Sequence, residues 1–131
     1  MIILSLPGVS IKPYVRMTKR GKYVDPQALE YLASKDTLAF EIRQAMQAKY
    51  YDPLPAQTPL HVHISVTVPS SQGHRADIDN IAKAILDACN KVVFPDDRWI
   101  DDLSIERKIG EPYLRIMAAS QNSSHTGMIS P

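Results

Sequence analysis

Between Asp77 and Asp102 the chain reads DIDNIAKAILDACNKVVFPDDRWIDD and holds seven of its fourteen acidic residues. Carboxylates crowded together repel and resist ionising together, so a cation is the natural occupant of the space between them. Aspartate oxygens suit a hard divalent ion, Mg2+ first and Mn2+ as a substitute. Asp77 and Asp79 stand at the entry to a segment of helical periodicity, and Asp96 and Asp97 follow that segment. A connection that returns the second pair to the first would complete an oxygen-rich site of three or four carboxylates. Such a site can hold one or two cations, activate a water, orient a phosphodiester and stabilise charge on the leaving oxygen. Lys83, one turn beyond Asp79, has two readings: it assists the chemistry at the phosphate, or it forms an ordinary helical salt bridge with Asp79, and spacing alone favours the salt bridge.

Elements that position these residues can be read from the pattern around them. Met1 to Leu6 is a short apolar run ended by Pro7-Gly8, a strand and a turn. Pro26 after Asp25 suits a helix start, and Leu29, Leu32, Ala39, Ile42 and Met46 recur at helical spacing toward Lys49. Three prolines make Asp52 to Pro59 a loop. From Leu60 the sequence alternates strictly, with Val62, Ile64, Val66 and Val68 on one face and His61, His63, Ser65 and Thr67 on the other, which predicts a strand. Asp77 fits a helix N-cap whose side chain accepts from first-turn amides. Ile81, Ile85, Ala88, Cys89 and Val92 supply the apolar stripe of the helix behind it. Trp99 to Lys108 reads as a strand without a clear inside face, with Trp99 expected to be buried. Tyr113 to Met117 reads as a last strand, with Gly110 and Pro112 as the turn of a hairpin between the two. The expected fold is α/β (α+β), a small mixed sheet of about four strands packed with two main helices, in one domain over residues 1–118. Residues 119–131 have little to bury and read as a disordered tail.

The net charge of +1 conceals an uneven distribution. Residues 1–24 carry Lys12, Arg16, Lys19, Arg20 and Lys22 and no acid. A basic arm beside an acidic pocket fits a polyanion held by the arm with one phosphate brought to a metal; a solvated loop is the plain alternative. Arg75, just before the acidic segment, is a further candidate for phosphate contact. One cysteine excludes an internal disulfide framework, and the start MIILSLPG lacks the features of a signal peptide. With no apolar run near the roughly 20 residues that span a bilayer, the reading is an intracellular, cytoplasmic protein with no membrane partner and no small organic cofactor. His61 and His63 share a strand face, a spacing that can bind zinc, but without a third soft ligand they read as exposed sheet-face residues. Isolated glycines exclude a glycine-rich phosphate loop.

The run D-I-D-N-I-A-K-A-I-L-D-A, then N-K-V-V-F-P-D-D-R-W-I and a lysine at Lys108, resembles the RusA family of Holliday junction resolvases, whose pattern is approximately D-x-D-N-x-x-K-x-x-x-D-x-L followed by D-D-x-x-I and a downstream lysine. The arm is similar as well, with Lys12, Pro13, Arg16, Arg20, Gly21 and Tyr23 matching K-P-x-x-R and R-G-x-x-Y. The resemblance covers roughly residues 2–118. It implies a bacterial or phage-encoded homodimer that resolves four-way DNA junctions by paired, metal-dependent nicks in recombination and repair. Asp77, Asp79 and Asp97 match the Mg2+-binding catalytic acids, Asp96 is a neighbouring contributor, and Lys83 matches a lysine needed for cleavage, which reverses the reading from spacing alone. Lys12, Arg16, Arg20, Lys22 and Arg75 are the residues expected to hold the DNA backbone. Asn80 is expected to support the first helical turn, and Asp87 to pair with Lys83 or Lys91. The chain departs from the family at Arg98 and Trp99, where serine and glutamine are frequent, and at Cys89, where leucine is usual. Two other classes stay open on the residues: a non-catalytic junction-binding protein with a structural ion, and a metal-dependent phosphohydrolase for small substrates.

Overall fold

In the computed structural model the described residues are 1–15 and 25–120. Six elements position the site: strand β1 (Ile2–Pro7), helix α1 (Pro26–Ala48), strand β2 (Leu60–Val68), helix α2 (Ile78–Cys89), strand β3 (Ile100–Ile109) and strand β4 (Tyr113–Ser120), with one 3-10 turn at Asp97–Trp99. The expected mixed sheet is present as four strands in the order β1-β4-β2-β3. Of the expected tail, Ala119 and Ser120 instead end β4 and are buried against the sheet; residues 121–131 and the arm residues Arg16, Lys19, Arg20 and Lys22 lie outside the described residues.

β2 forms where alternation predicted it, and it is the sheet's organising strand. Its apolar set is buried, from Leu60 and Ile64 at 0% exposure to Val62 at 4%. It pairs antiparallel with β4 and parallel with β3. The hairpin expected between β3 and β4 is therefore absent. The turn at Gly110 and Pro112 does reverse the chain, but it carries it over the end of β2: the Gly110 amide donates to the Val68 carbonyl, and the Gly8 amide donates to the Pro112 carbonyl at 2.8 Å. A parallel pair needs a crossover connection, and α2 supplies it, packed under the sheet with Ile81, Ile85, Ala88 and Cys89 at 0% exposure.

α1 starts as expected, with Pro26 at its first position and the Asp25 carboxylate accepting from the Gln27 amide at 2.9 Å. Its inward face is rotated from the one the aliphatic residues predicted. Ala28, Tyr31, Leu38, Ile42 and Met46 are buried, while Leu29 is 47% exposed. Tyr31 sets this rotation, since it is 2% exposed and its hydroxyl finds a half-buried partner on α2. α1 packs against α2 and β1, so both helices lie on one face of the sheet. Among the described residues no helix is long and apolar enough to cross a membrane.

Candidate nuclease site

The first turn of α2 is held from both sides. Asp77 takes the N-cap position with extended backbone (φ −68°, ψ 143°), but its side chain makes no cap hydrogen bond, contrary to the expectation that it would accept from first-turn amides. The carboxylate is thereby left available. The carbonyl immediately before it, on Ala76, accepts from the guanidinium of Arg107 on β3. From the arm side, the Tyr14 amide donates to the Asn80 carbonyl at 3.1 Å. Asp79 is exposed in the first turn, and its carboxylate accepts from the Asn80 amide at 3.0 Å.

The second acidic pair returns to this end of α2 because the connection after the helix is itself core. Val92, Val93 and Phe94 are at most 6% exposed, and the Leu54 amide donates to the Val93 carbonyl at 2.8 Å. Lys91 adopts a left-handed conformation (φ 67°) and its amide donates to the Phe94 carbonyl at 2.7 Å, which closes the turn. Asp96 then caps the 3-10 turn by accepting from the Arg98 amide at 3.0 Å. Trp99, expected to be buried, is half-buried and packs at the edge of the core, with the Arg98 guanidinium 6.0 Å from its ring centre.

Asp79, Lys83 and Asp97 line one cleft of about 360 Å³ whose remaining walls are Ile78, Ala82, Leu86, Leu103 and Ile105. Asp96 adjoins Asp97, and Asp77 lies one residue before the cleft wall at Ile78. The two adjacent carboxylates differ in proton affinity. The Arg98 amide, above all, holds Asp96 below the usual carboxylate range. Burial, then the hydrogen bond and negative charge of Asp96, pushes Asp97 up; Lys83 opposes this and Asp87 adds to it. A carboxyl raised by burial and by a neighbouring carboxylate is a recurrent feature of functional sites. Among the described residues no three His, Cys, Asp or Glu side chains gather closely enough to hold a metal ion.

Lys83 does not form the Asp79 salt bridge. Its Nζ lies 3.7 Å from Asp87 Oδ1 and 4.8 Å from the centre of the Tyr14 ring. Of the residues expected to hold DNA, Lys12 and Arg75 line one cavity of about 310 Å³ together with Gln72, whose side-chain amide donates to the Ile11 carbonyl at 3.4 Å. The sequence reading missed Tyr14, Tyr31 and Arg107. Tyr14 sits inside the K-P-x-x-R pattern, a signal that could have been used; Tyr31 and Arg107 are placed only by contacts from distant elements.

The other polar cluster lies on the opposite sheet face. His61 Nδ1 is 3.4 Å from Asp102 Oδ2, His63 Nδ1 is 2.6 Å from Ser104 Oγ, and Ser65 donates to Glu106 at 3.1 Å. These are the exposed sheet-face histidines that the alternation predicted. Lys108, two residues along β3 from Glu106, shares this face and lies 4.0 Å from the Glu106 carboxylate, whereas Arg107 turns toward α2.

No curated protein matches the chain. A family model described as endodeoxyribonuclease RusA matches residues 7–118, a span that includes every carboxylate of the cleft, Lys83 and the whole arm. The chain belongs to the endodeoxyribonuclease RusA family.

Proposed function

We propose that the protein is a metal-dependent, structure-selective endonuclease that resolves four-way DNA junctions as a homodimer, in recombination and repair. The observation that carries this reading is the convergence of Asp79, Asp97 and Lys83 on one cleft at the first turns of α2, to which Tyr14 is bonded through Asn80. The donor set suits Mg2+ or Mn2+, because it is all oxygen and Asp97 bears a repulsion that a cation would relieve. Asp79 and Asp97, which share the cleft, would hold the ion, and Asp77 and Asp96 beside it would have to move closer to serve as further donors. When bound, it would supply Lewis acidity and a water of lowered pKa.

The chain's own residues do the rest. Lys83 places a positive charge at the cleft, where it offsets the charge that develops on a phosphodiester under attack. Leu103, Ile105 and Leu86 keep part of the cleft wall apolar. Lys12 and Arg75, with Arg16, Arg20 and Lys22 of the arm, hold the DNA backbone through contacts that weaken with salt and do not read sequence.

Incubation of a labelled synthetic four-way junction with the protein and Mg2+, beside linear duplex, single strand and an Asp79→Asn control, tests the reading. Paired nicks confined to the junction and lost in the variant are expected. Binding without cutting under any divalent cation would favour an architectural junction-binding protein, and neither binding nor cutting would favour a small-substrate phosphohydrolase.

A further inference from the structure

Lys83 presents a physical difficulty for the role assigned to it. Its side chain is 48% exposed, and a lysine head on four flexible carbons has many rotamers to lose. An exposed helical ion pair contributes less than that ordering costs, too little to keep the ammonium at the cleft. The partners of Lys83, however, are not free to move. Asp87 is only 21% exposed at its side chain, and its second oxygen accepts a 2.7 Å hydrogen bond from the Tyr31 hydroxyl. A hydroxyl donating to a carboxylate at that length is a strong, charge-assisted contact. Burial, followed by the bond to Asp87, holds the Tyr31 phenol well above the usual tyrosine range, so it remains a donor.

Tyr14 is fixed in the same way. Its ring meets that of Tyr31 edge to face, 5.5 Å between centres at 83°, and its amide is bonded to Asn80. Each neighbour of the Lys83 ammonium is thus anchored by a group from another part of the chain. The Tyr31 to Asp87 bond joins α1 to α2 across 56 positions.

We infer that Tyr31 and Asp87 are positioning residues for Lys83, holding its ammonium at the mouth of the Asp79 and Asp97 cleft without touching the substrate themselves. The inference rests on the nuclease reading for its catalytic consequence, but the cradle itself is a property of the folded chain. It accounts for Asp87 without making it a metal ligand: one oxygen faces the lysine, and the other is occupied by Tyr31.

Two measurements test it. In single-turnover cleavage of a four-way junction at saturating protein and Mg2+, Tyr31→Phe is expected to slow cutting about tenfold, within the range that misplacement of a reacting group can cost, with junction affinity unchanged. In a Lys83→Ala background the same change is expected to cost no more than about twofold, because its effect passes through the lysine. The second measurement needs no activity: amine acetylation read residue by residue by mass spectrometry, with exposed Lys49 as the internal reference. Lys83 is expected to label severalfold faster in Tyr31→Phe and in Asp87→Asn than in the wild type, since both release it. Equal labelling of Lys83 in all three proteins overturns the cradle whether or not the chain cuts DNA, and so does an additive loss in the double variant. A wild-type protein that cuts no junction overturns the nuclease reading, and the labelling result then still decides the cradle.

Discussion

The two faces of the sheet both carry acids and bases, and they use them differently. On the open face three polar groups on β2 each meet a partner on β3: His61 with Asp102, His63 with Ser104, Ser65 with Glu106, which Lys108 also approaches. These contacts are exposed. On the helix face the carboxylates are more heavily shared. Asp87 is shared by Lys83 and Tyr31, and Asp97 is held above the usual carboxylate range by burial and by its neighbour Asp96. The open face reads as a solvated surface whose charges are already answered. The other retains excess negative charge at Asp97 that a cation would relieve, and that is where the candidate catalytic residues lie.

The largest effect that would sharpen the comparison is expected from Asp79→Asn, which should reduce junction cleavage at least about 100-fold while leaving junction binding within about twofold. Near wild-type cutting would remove the cleft from the mechanism. Next come adjacent residues on opposite faces of β3. Arg107→Ala releases the Ala76 carbonyl just before Asp77 and should slow cutting about tenfold and cost about 1–3 kcal/mol in denaturant unfolding. Lys108→Ala should stay within about 0.5 kcal/mol and cut normally; equal losses from the two would erase the distinction between the faces.

A smaller effect of unusual sign is expected from Asp97→Asn in protein dialysed against EDTA. The folded carboxyl sits above its ordinary value, so the folded state binds the proton more tightly, and stability from this group is lost as pH rises through the folded pKa. The variant should therefore melt higher than wild type near pH 7, with the gap closing as pH falls to the ordinary carboxylate range, although it cuts nothing. A lower melting temperature at pH 7 would show that the repulsion is already relieved. The smallest change belongs to His61→Ala combined with His63→Ala, where unfolding free energy should shift by less than about 1 kcal/mol and cleavage should be unaffected. Loss of cutting there would make the open face functional.

Much of the site was legible because its signal is local. The D-x-D entry to α2, the lysine one turn on and the second acid pair after a short apolar connection lie within about 20 residues of each other; helical periodicity sets Asp79 beside Lys83, and the apolar run Val92 to Phe94 signals a buried return for the second pair. β2 was legible for a similar reason, since strict alternation needs no knowledge of its neighbours. The hairpin between β3 and β4 was misread because Gly110 and Pro112 specify that the chain turns, and not which strand it lands beside. Insertion of β2 between them depends on pairing with residues about 40–60 positions away in sequence. β3 gave no clean inside face because it is an edge strand, exposed along most of its length. Tyr31 escaped notice because the aliphatic residues of α1 offered an alternative face, with Leu29 in place of Ala28. Only a hydroxyl partner on another helix decides between them.

The pairing of Ile2 with Ala118 and of Pro7 with Tyr113 bears on how the enzyme is made. β1 emerges early from the ribosome, but the strand it must join is synthesised after the arm, the acidic helix and the cleft residues. Contacts of such long sequence separation form late and slowly. During translation β2, with its row of valines and isoleucines, has a neighbour on one side only until β4 arrives. A nascent chain can thus carry every residue of the cleft without the sheet that holds them in register, so DNA-cutting activity should appear only upon completion of the last strand.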